Sequence, residues 1–139
     1  MARLTIRTQE ELLALATGMA RAQIDQQMHI QAAARHGLVG ALMVAIGLSV
    51  PEIISGFRAH SFQAGLREVK GNDGQFLQPA RRSWHTRGLA YDLDQSAEFF
   101  DIYAILWKLL GGRDGRDFSN PDPGHFDIPV AGLEPDPSF

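Results

Sequence analysis

The chain has 139 residues, 45% hydrophobic and 21% charged, with a formal net charge of -3 and no cysteine. That describes one globular domain, large enough to bury a core, and without the basic, aromatic-interleaved stripe that marks a nucleic-acid partner. Without thiols there is no disulfide, and any metal site must be built from nitrogen and oxygen donors.

In chain order, Met1 to Glu11 carries no apolar core before a small-residue cleavage site, so no signal peptide is expected. Thr8-Gln9-Glu10-Glu11 reads as a capping box opening a helix to about His36, where Gly37 should stop it. Leu12, Leu15, Met19, Ile24 and Met28 give that helix its apolar stripe. A second helical piece is expected over 39–46. The apolar stretch Leu38 to Val50 is interrupted by Gly40, Gly47 and Ser49, and it falls short of the roughly 20 residues a bilayer span needs. It reads as a buried core helix, not a membrane span.

Pro51 precedes a predicted strand over 52–57. Gly71-Asn72-Asp73-Gly74 and Pro79 make 70–82 a long irregular connection, of the kind that forms a rim or lid. A strand follows over 88–94, then a helix over 97–110 with Ser96 as N-cap and Gly111-Gly112 as terminator. Tyr103 and Trp107, at i, i+4 on that helix, belong to the core. A last strand is expected over 126–130, with a loose tail from Glu134. Helices first and short strands later define an α+β domain: N-terminal helices on a small, mostly antiparallel sheet.

Chemistry concentrates in two segments, Ser83 to Asp92 and Asp122 to Phe126. Within the strand, Gly88, Ala90 and Asp92 share one face, while Leu89, Tyr91 and Leu93 pack into the core. One carboxylate beside two residues almost without side chains leaves room for a metal and a substrate. His85 has the wrong parity for that face, so it reaches Asp92 only if the chain bends near Gly88. A tight turn through Pro123-Gly124 would lay the Asp122 carboxylate beside His125. Two imidazoles and one carboxylate can hold a catalytic zinc with an open position, and a neighbouring carboxylate can move protons. Residue types alone equally allow hydrogen-bonded histidines and an aspartate that merely starts a turn. His29 and His36 share a helix face about 10.5 Å apart, too far for one ion. His60 reads as an exposed loop histidine.

Ile54-Ser-Gly-Phe-Arg58, Gln63, Leu66, Ser83-x-His85-x-x-Gly88-x-Ala90-x-Asp92 and Asp122-x-x-His125-Phe126 together resemble the zinc D-alanyl-D-alanine carboxypeptidase and L-alanyl-D-glutamate peptidase family. This family includes phage endolysins and shares its fold with the hedgehog signalling domain. The similarity runs from about Val50 to Ile128, with its blocks in family order. It implies one zinc ion on His85, Asp92 and His125, with Asp122 as acid/base. It implies that Arg58 acts in the site on a substrate carboxylate or oxyanion. Ser83 and Gln63 match polar positions that contact substrate or support loops. The family often has Glu where this chain has Asp127, which would act behind His125. Its Gly-Gly-Asp-Trp-like stretch becomes Gly111-Gly112-Arg113-Asp114-Gly115, leaving Trp84 or Phe118 to supply the missing aromatic wall.

The implied function is hydrolysis of peptide bonds in peptidoglycan stem peptides, by a monomeric phage or prophage enzyme. It would be made in the cytoplasm, act on the wall after release, and span 1–139 without a separate wall-binding domain. The alternative is a catalytically silent zinc module that binds wall peptide or a protein partner. Asp122 separates the two, because a silent module has no use for a carboxylate there.

Overall fold

The amphipathic stretch that opens the chain folds as two helices, not one. The computed structural model describes residues 9–139, so Thr8 and its expected cap lie outside the described residues. α1 spans Gln9–Asp25 and α2 spans Ile30–Ala45. Between them Gln27 turns left-handed at φ 66°. His29 then caps α2, its Nδ1 accepting from the Gln31 amide at 3.1 Å. A histidine ring nitrogen thus serves where the sequence showed no Ser, Thr, Asp or Asn cap. His29 stands at the start of α2, and the buried His36 lies within the same helix.

Gly37 does not stop a helix; it lies inside α2, which continues through the segment expected as a separate piece. A Cβ at Gly37 would stand 2.3 Å from the Ala16 carbonyl oxygen and 3.1 Å from the Ala20 Cβ. The missing side chain lets α1 lie directly on α2, which outweighs its helix-propensity cost of about 1 kcal/mol.

β1 (Ile53–Ser55) precedes a short helix, α3 (His60–Gly65), that the sequence pattern did not suggest. The connection over 70–82 is irregular, as expected, closed by a Lys70–Phe76 bridge. β2 is Ala90–Leu93, α4 is Phe100–Leu109, β3 is Arg113–Asp114 and β4 is His125–Asp127. α4 starts later than expected because the Ser96 hydroxyl donates to Asp94 Oδ1 at 2.6 Å instead of capping the helix. β4 ends before its expected limit; Pro129 has no N–H to extend the ladder.

The sheet order is β1-β2-β4-β3, with each neighbouring pair antiparallel. The α+β architecture is therefore the one the sequence implies. Leu89, Tyr91 and Leu93 are fully buried, and with Phe126, Tyr103, Trp107, Val39 and Met43 they form the core between the sheet and α2 and α4. The other sheet face carries Ala90 and Asp92 on β2 beside Asp127 and His125 on β4, in register.

The tail is not loose. Ser138 N donates to the Arg81 carbonyl at 2.7 Å, Arg81 Nε donates to the Phe139 carbonyl at 2.6 Å, and Arg67 lies over the Phe139 ring. Arg87 adds a bond to the Glu134 carbonyl. These contacts hold the last residues against the 81–87 segment. No helix among the described residues is long and apolar enough to cross a membrane.

Candidate metal centre

Asp92 and His125 are directly opposed in the β2–β4 ladder. Facing residues of an antiparallel pair bring their Cβ atoms to about 4.5–5.5 Å on the same side, so the register alone sets these two side chains together. His85 arrives by the bend its parity demanded. Trp84–Arg87 form a 3-10 turn that Ser83 caps, Ser83 Oγ accepting from the His85 amide at 3.3 Å. Gly88 closes the turn at φ 67°. A Cβ there would meet the Gln27 carbonyl oxygen at 2.6 Å and the His29 nitrogen at 2.8 Å, so both the conformation and the space require glycine.

His85, Asp92 and His125 each present one donor atom, all within 4.8 Å of one another. His85 Nε2 lies 3.4 Å and His125 Nδ1 3.6 Å from the same oxygen, Asp92 Oδ1. This group could hold a metal ion, and it is the only such cluster among the described residues.

Second partners fix which atom of each residue is free. His85 Nδ1 lies 2.7 Å from the Gly56 carbonyl oxygen. A carbonyl can only accept, so Nδ1 donates to it, and Nε2 is the nitrogen left facing Asp92. His125 Nε2 donates to Asp127 Oδ2 at 2.7 Å, which leaves Nδ1 facing the centre. Asp127 is itself fully buried and held by Arg113 through two bonds of 2.7 and 2.8 Å. The shorter side chain at this position thus completes a carboxylate–histidine pair. Arg58 Nη2 donates to the outer oxygen Asp92 Oδ2 at 2.8 Å and to Ser55 Oγ at 3.2 Å.

The charges follow from these contacts. Burial disfavours the Asp92 carboxylate, but hydrogen bonds with His125 and His85 and the Arg58 charge outweigh it and hold its pKa well below the usual range. Burial likewise pushes His125 down, yet hydrogen bonds to Asp127 and Asp92 and their charges win, raising it to about 9. Asp127 is lowered despite burial, by hydrogen bonds with His125 and Arg113. The metal-free cluster is therefore an ion-paired network, and a cation entering it takes the place of the His125 proton.

Asp122-Pro123-Gly124-His125 is a tight turn of type II character, with Pro second, Gly124 third at φ 88°, and His125 N bonded to the Asp122 carbonyl at 3.3 Å. It places Asp122 Oδ2 at 3.7 Å from His125 Nδ1, the same nitrogen that faces the cluster. The Asp122 side chain is 63% exposed and borders the same cleft as His85, Asp92 and His125.

All of these donors border a cleft of about 660 Å³, which also receives Gln63, Ser83, Trp84 and Phe118. Phe118 stands 5.6 Å from the His125 ring, so both aromatic candidates flank the site. Gln63 is buried and donates to the Ala80 carbonyl at 2.9 Å. The contacts of Gln63 and Ser83 within the chain are those of loop supports. His60 is exposed and takes no part in the cluster. A second cavity of about 640 Å³, between the N-terminal helices and β1, contains only His36 among the histidines and no group of metal donors. Sequence reasoning missed the carbonyl of Gly56 and the bidentate Arg113, since neither a backbone oxygen nor a lone arginine on a two-residue strand leaves a pattern.

In comparison with known proteins, no family model and no curated sequence matches the chain.

Proposed function

We propose that the chain is a zinc-dependent peptidase acting on peptidoglycan stem peptides, of the D-alanyl-D-alanine carboxypeptidase and L-alanyl-D-glutamate peptidase kind, with the fold that family shares with the hedgehog domain. The observation that carries this reading is the convergence of three ligand atoms, His85 Nε2, Asp92 Oδ1 and His125 Nδ1, with a spare carboxylate 3.7 Å from the last of them. Two nitrogens and one oxygen, each oriented by its own second partner, suit zinc with a coordination position open to the cleft. Bound zinc supplies Lewis acidity to a peptide carbonyl and makes water acidic enough to attack near neutral pH.

The chain's residues do the rest. Asp122 Oδ2 accepts the proton that the attacking water gives up and passes it to the leaving amine, and its exposure lets it reach both. Arg58 holds Asp92 in place through Oδ2, keeping Oδ1 turned to the donors. Asp127 holds the His125 ring. Trp84 and Phe118 flank the peptide. A silent zinc module would need the metal donors but no carboxylate at Asp122, so that residue favours catalysis. Synthesis in the cytoplasm, action on the wall after release, and a monomeric state are parts of the same proposal.

Metal analysis paired with digestion of purified peptidoglycan by wild type and Asp122→Asn tests it. Wild type should bind one zinc ion and release peptide fragments. Asp122→Asn should keep the metal and lose about 10²- to 10⁴-fold in rate. Cleavage that survives the substitution, or folded protein that binds no zinc, would sink the proposal.

A further inference from the structure

Three guanidinium groups border the metal-site cleft: Arg58, Arg82 and Arg113. Two are spoken for. Arg58 is paired with Asp92 at 2.8 Å, and Arg113 grips Asp127 with two bonds. Arg82 faces no carboxylate among the described residues; its one hydrogen bond is a long 3.4 Å contact from Nη1 to the Pro135 carbonyl. The cleft's carboxylates divide the same way. Asp92 and Asp127 have arginine partners, and Asp122 has none. The site therefore offers one uncommitted anion and one uncommitted cation, and the anion is already assigned to proton transfer.

We propose that Arg82 is a specificity-determining residue that receives a free carboxylate of the bound peptide. The proposal rests on the peptidase reading and gives it a substrate preference: acidic stem peptides over their amidated forms. A planar fork of donors suits a carboxylate, which can take two parallel bonds from it. The position is also a prepared one. Arg82 immediately precedes Ser83, the cap of the turn that carries His85, so its backbone is tied to the metal donors. Its segment is pinned from the protein side by Gln63, which donates to the Ala80 carbonyl at 2.9 Å. The tail pins it again, through Ser138 N on the Arg81 carbonyl at 2.7 Å and Arg81 Nε on the Phe139 carbonyl at 2.6 Å. An exposed arginine on a free loop would lose much of its binding energy to ordering, whereas here the backbone is already placed. Fixing the tail so near the cleft acquires a purpose on this reading.

A stem peptide whose third residue has no carboxylate has two candidates, the α-carboxylate of its D-glutamyl residue and its C-terminal carboxylate. Three synthetic peptides separate them: one with both acids free, one amidated at the D-glutamyl residue, and one amidated at the C-terminus. With zinc-loaded protein, kcat/KM and the calorimetric Kd of each peptide are measured for wild type, Arg82→Gln and Arg82→Lys. Wild type should prefer the free acid over one of the two amides, which identifies the carboxylate. Arg82→Gln should lose roughly 10- to 100-fold on the free acid, carried by KM and Kd with kcat little changed, and almost nothing on that amide. Arg82→Lys should recover part of the loss. An equal loss on all three peptides, or none on the free acid, overturns the role of Arg82 while leaving the peptidase standing. Carboxylate-dependent binding without cleavage by wild type would overturn the peptidase and leave Arg82 as a binding residue.

Discussion

Asp127 Oδ2 accepts a hydrogen bond from His125 Nε2 at 2.7 Å, and this single bond leaves Nδ1 as the nitrogen with which His125 would meet a metal. Removing the acceptor's charge should loosen the ring without removing a donor. Asp127→Asn is expected to bind zinc about 10- to 100-fold more weakly, as partners behind metal-binding histidines generally do. Competition with a chromophoric chelator measures this, and unchanged affinity would show that His125 is oriented by packing alone.

Gly88 is the hinge that turns His85 into the site. Gly88→Ala puts a side chain at φ 67° and 2.6 Å from the Gln27 carbonyl oxygen. The left-handed conformation alone costs about 1–2 kcal/mol and the clash adds to it. A fall in Tm of about 8 °C or more is expected, with zinc affinity falling alongside because the α1–α2 turn and the His85 turn move together.

Trp107 braces the strands beneath the site. Its indole N–H lies 3.2 Å from both the Arg113 and the Asp127 carbonyl oxygens. Trp107→Phe removes that donor and leaves a gap beside two carbonyls, at an expected cost of about 2–4 kcal/mol in chemical unfolding. Zinc affinity should fall less than in Asp127→Asn, since the His125–Asp127 bond itself is kept.

His36 supplies the pH dependence of the metal-free fold. It is buried, it bonds through Nδ1 to the Tyr103 hydroxyl at 2.7 Å, and Tyr103 bonds in turn to Tyr91. Burial lowers its pKa from 6.5 to about 4. Between those values the unfolded chain binds a proton that the folded one refuses, so stability is full above pH 6.5 and declines as pH falls toward 4. The expected loss is about 3 kcal/mol. His125, with its raised pKa, contributes stability that is lost only as pH rises from 6.5 through about 9, outside this window. The lowered Asp92 and Asp127 act only below their unfolded value of 3.8. Denaturation of His36→Leu across pH 4 to 6.5 should show a flat profile where wild type slopes; an unchanged slope would assign the proton elsewhere.

Much of the site is legible in the sequence. Period-two alternation separates Asp92 from the apolar set Leu89, Tyr91 and Leu93, and all three of those are buried. Parity demanded a bend at Gly88, and Pro123-Gly124 announced the turn that carries Asp122. Errors fell where a tertiary contact outweighed a local signal. Gly37 looked like a helix stop, because a helical glycine packed against a neighbouring backbone has the same letter as a terminator. Ser96 looked like a cap, but its hydroxyl is taken by Asp94. The tail looked loose because proline and aspartate say nothing of the arginines waiting for it.

The sequence by itself determined the α+β class, which residues are candidate donors, and the bend needed to bring His85 to Asp92, because these depend on residue type and on periodicities of two and 3.6 that the backbone imposes locally. Only the tertiary structure decided that Asp92 opposes His125, that Gly56 and Asp127 choose the free nitrogen of each imidazole, and that Arg58 and Arg113 are committed while Arg82 is not. Those are pairings between residues distant in the chain. They are set by strand register and by which buried charges must find partners, and neither has a local code.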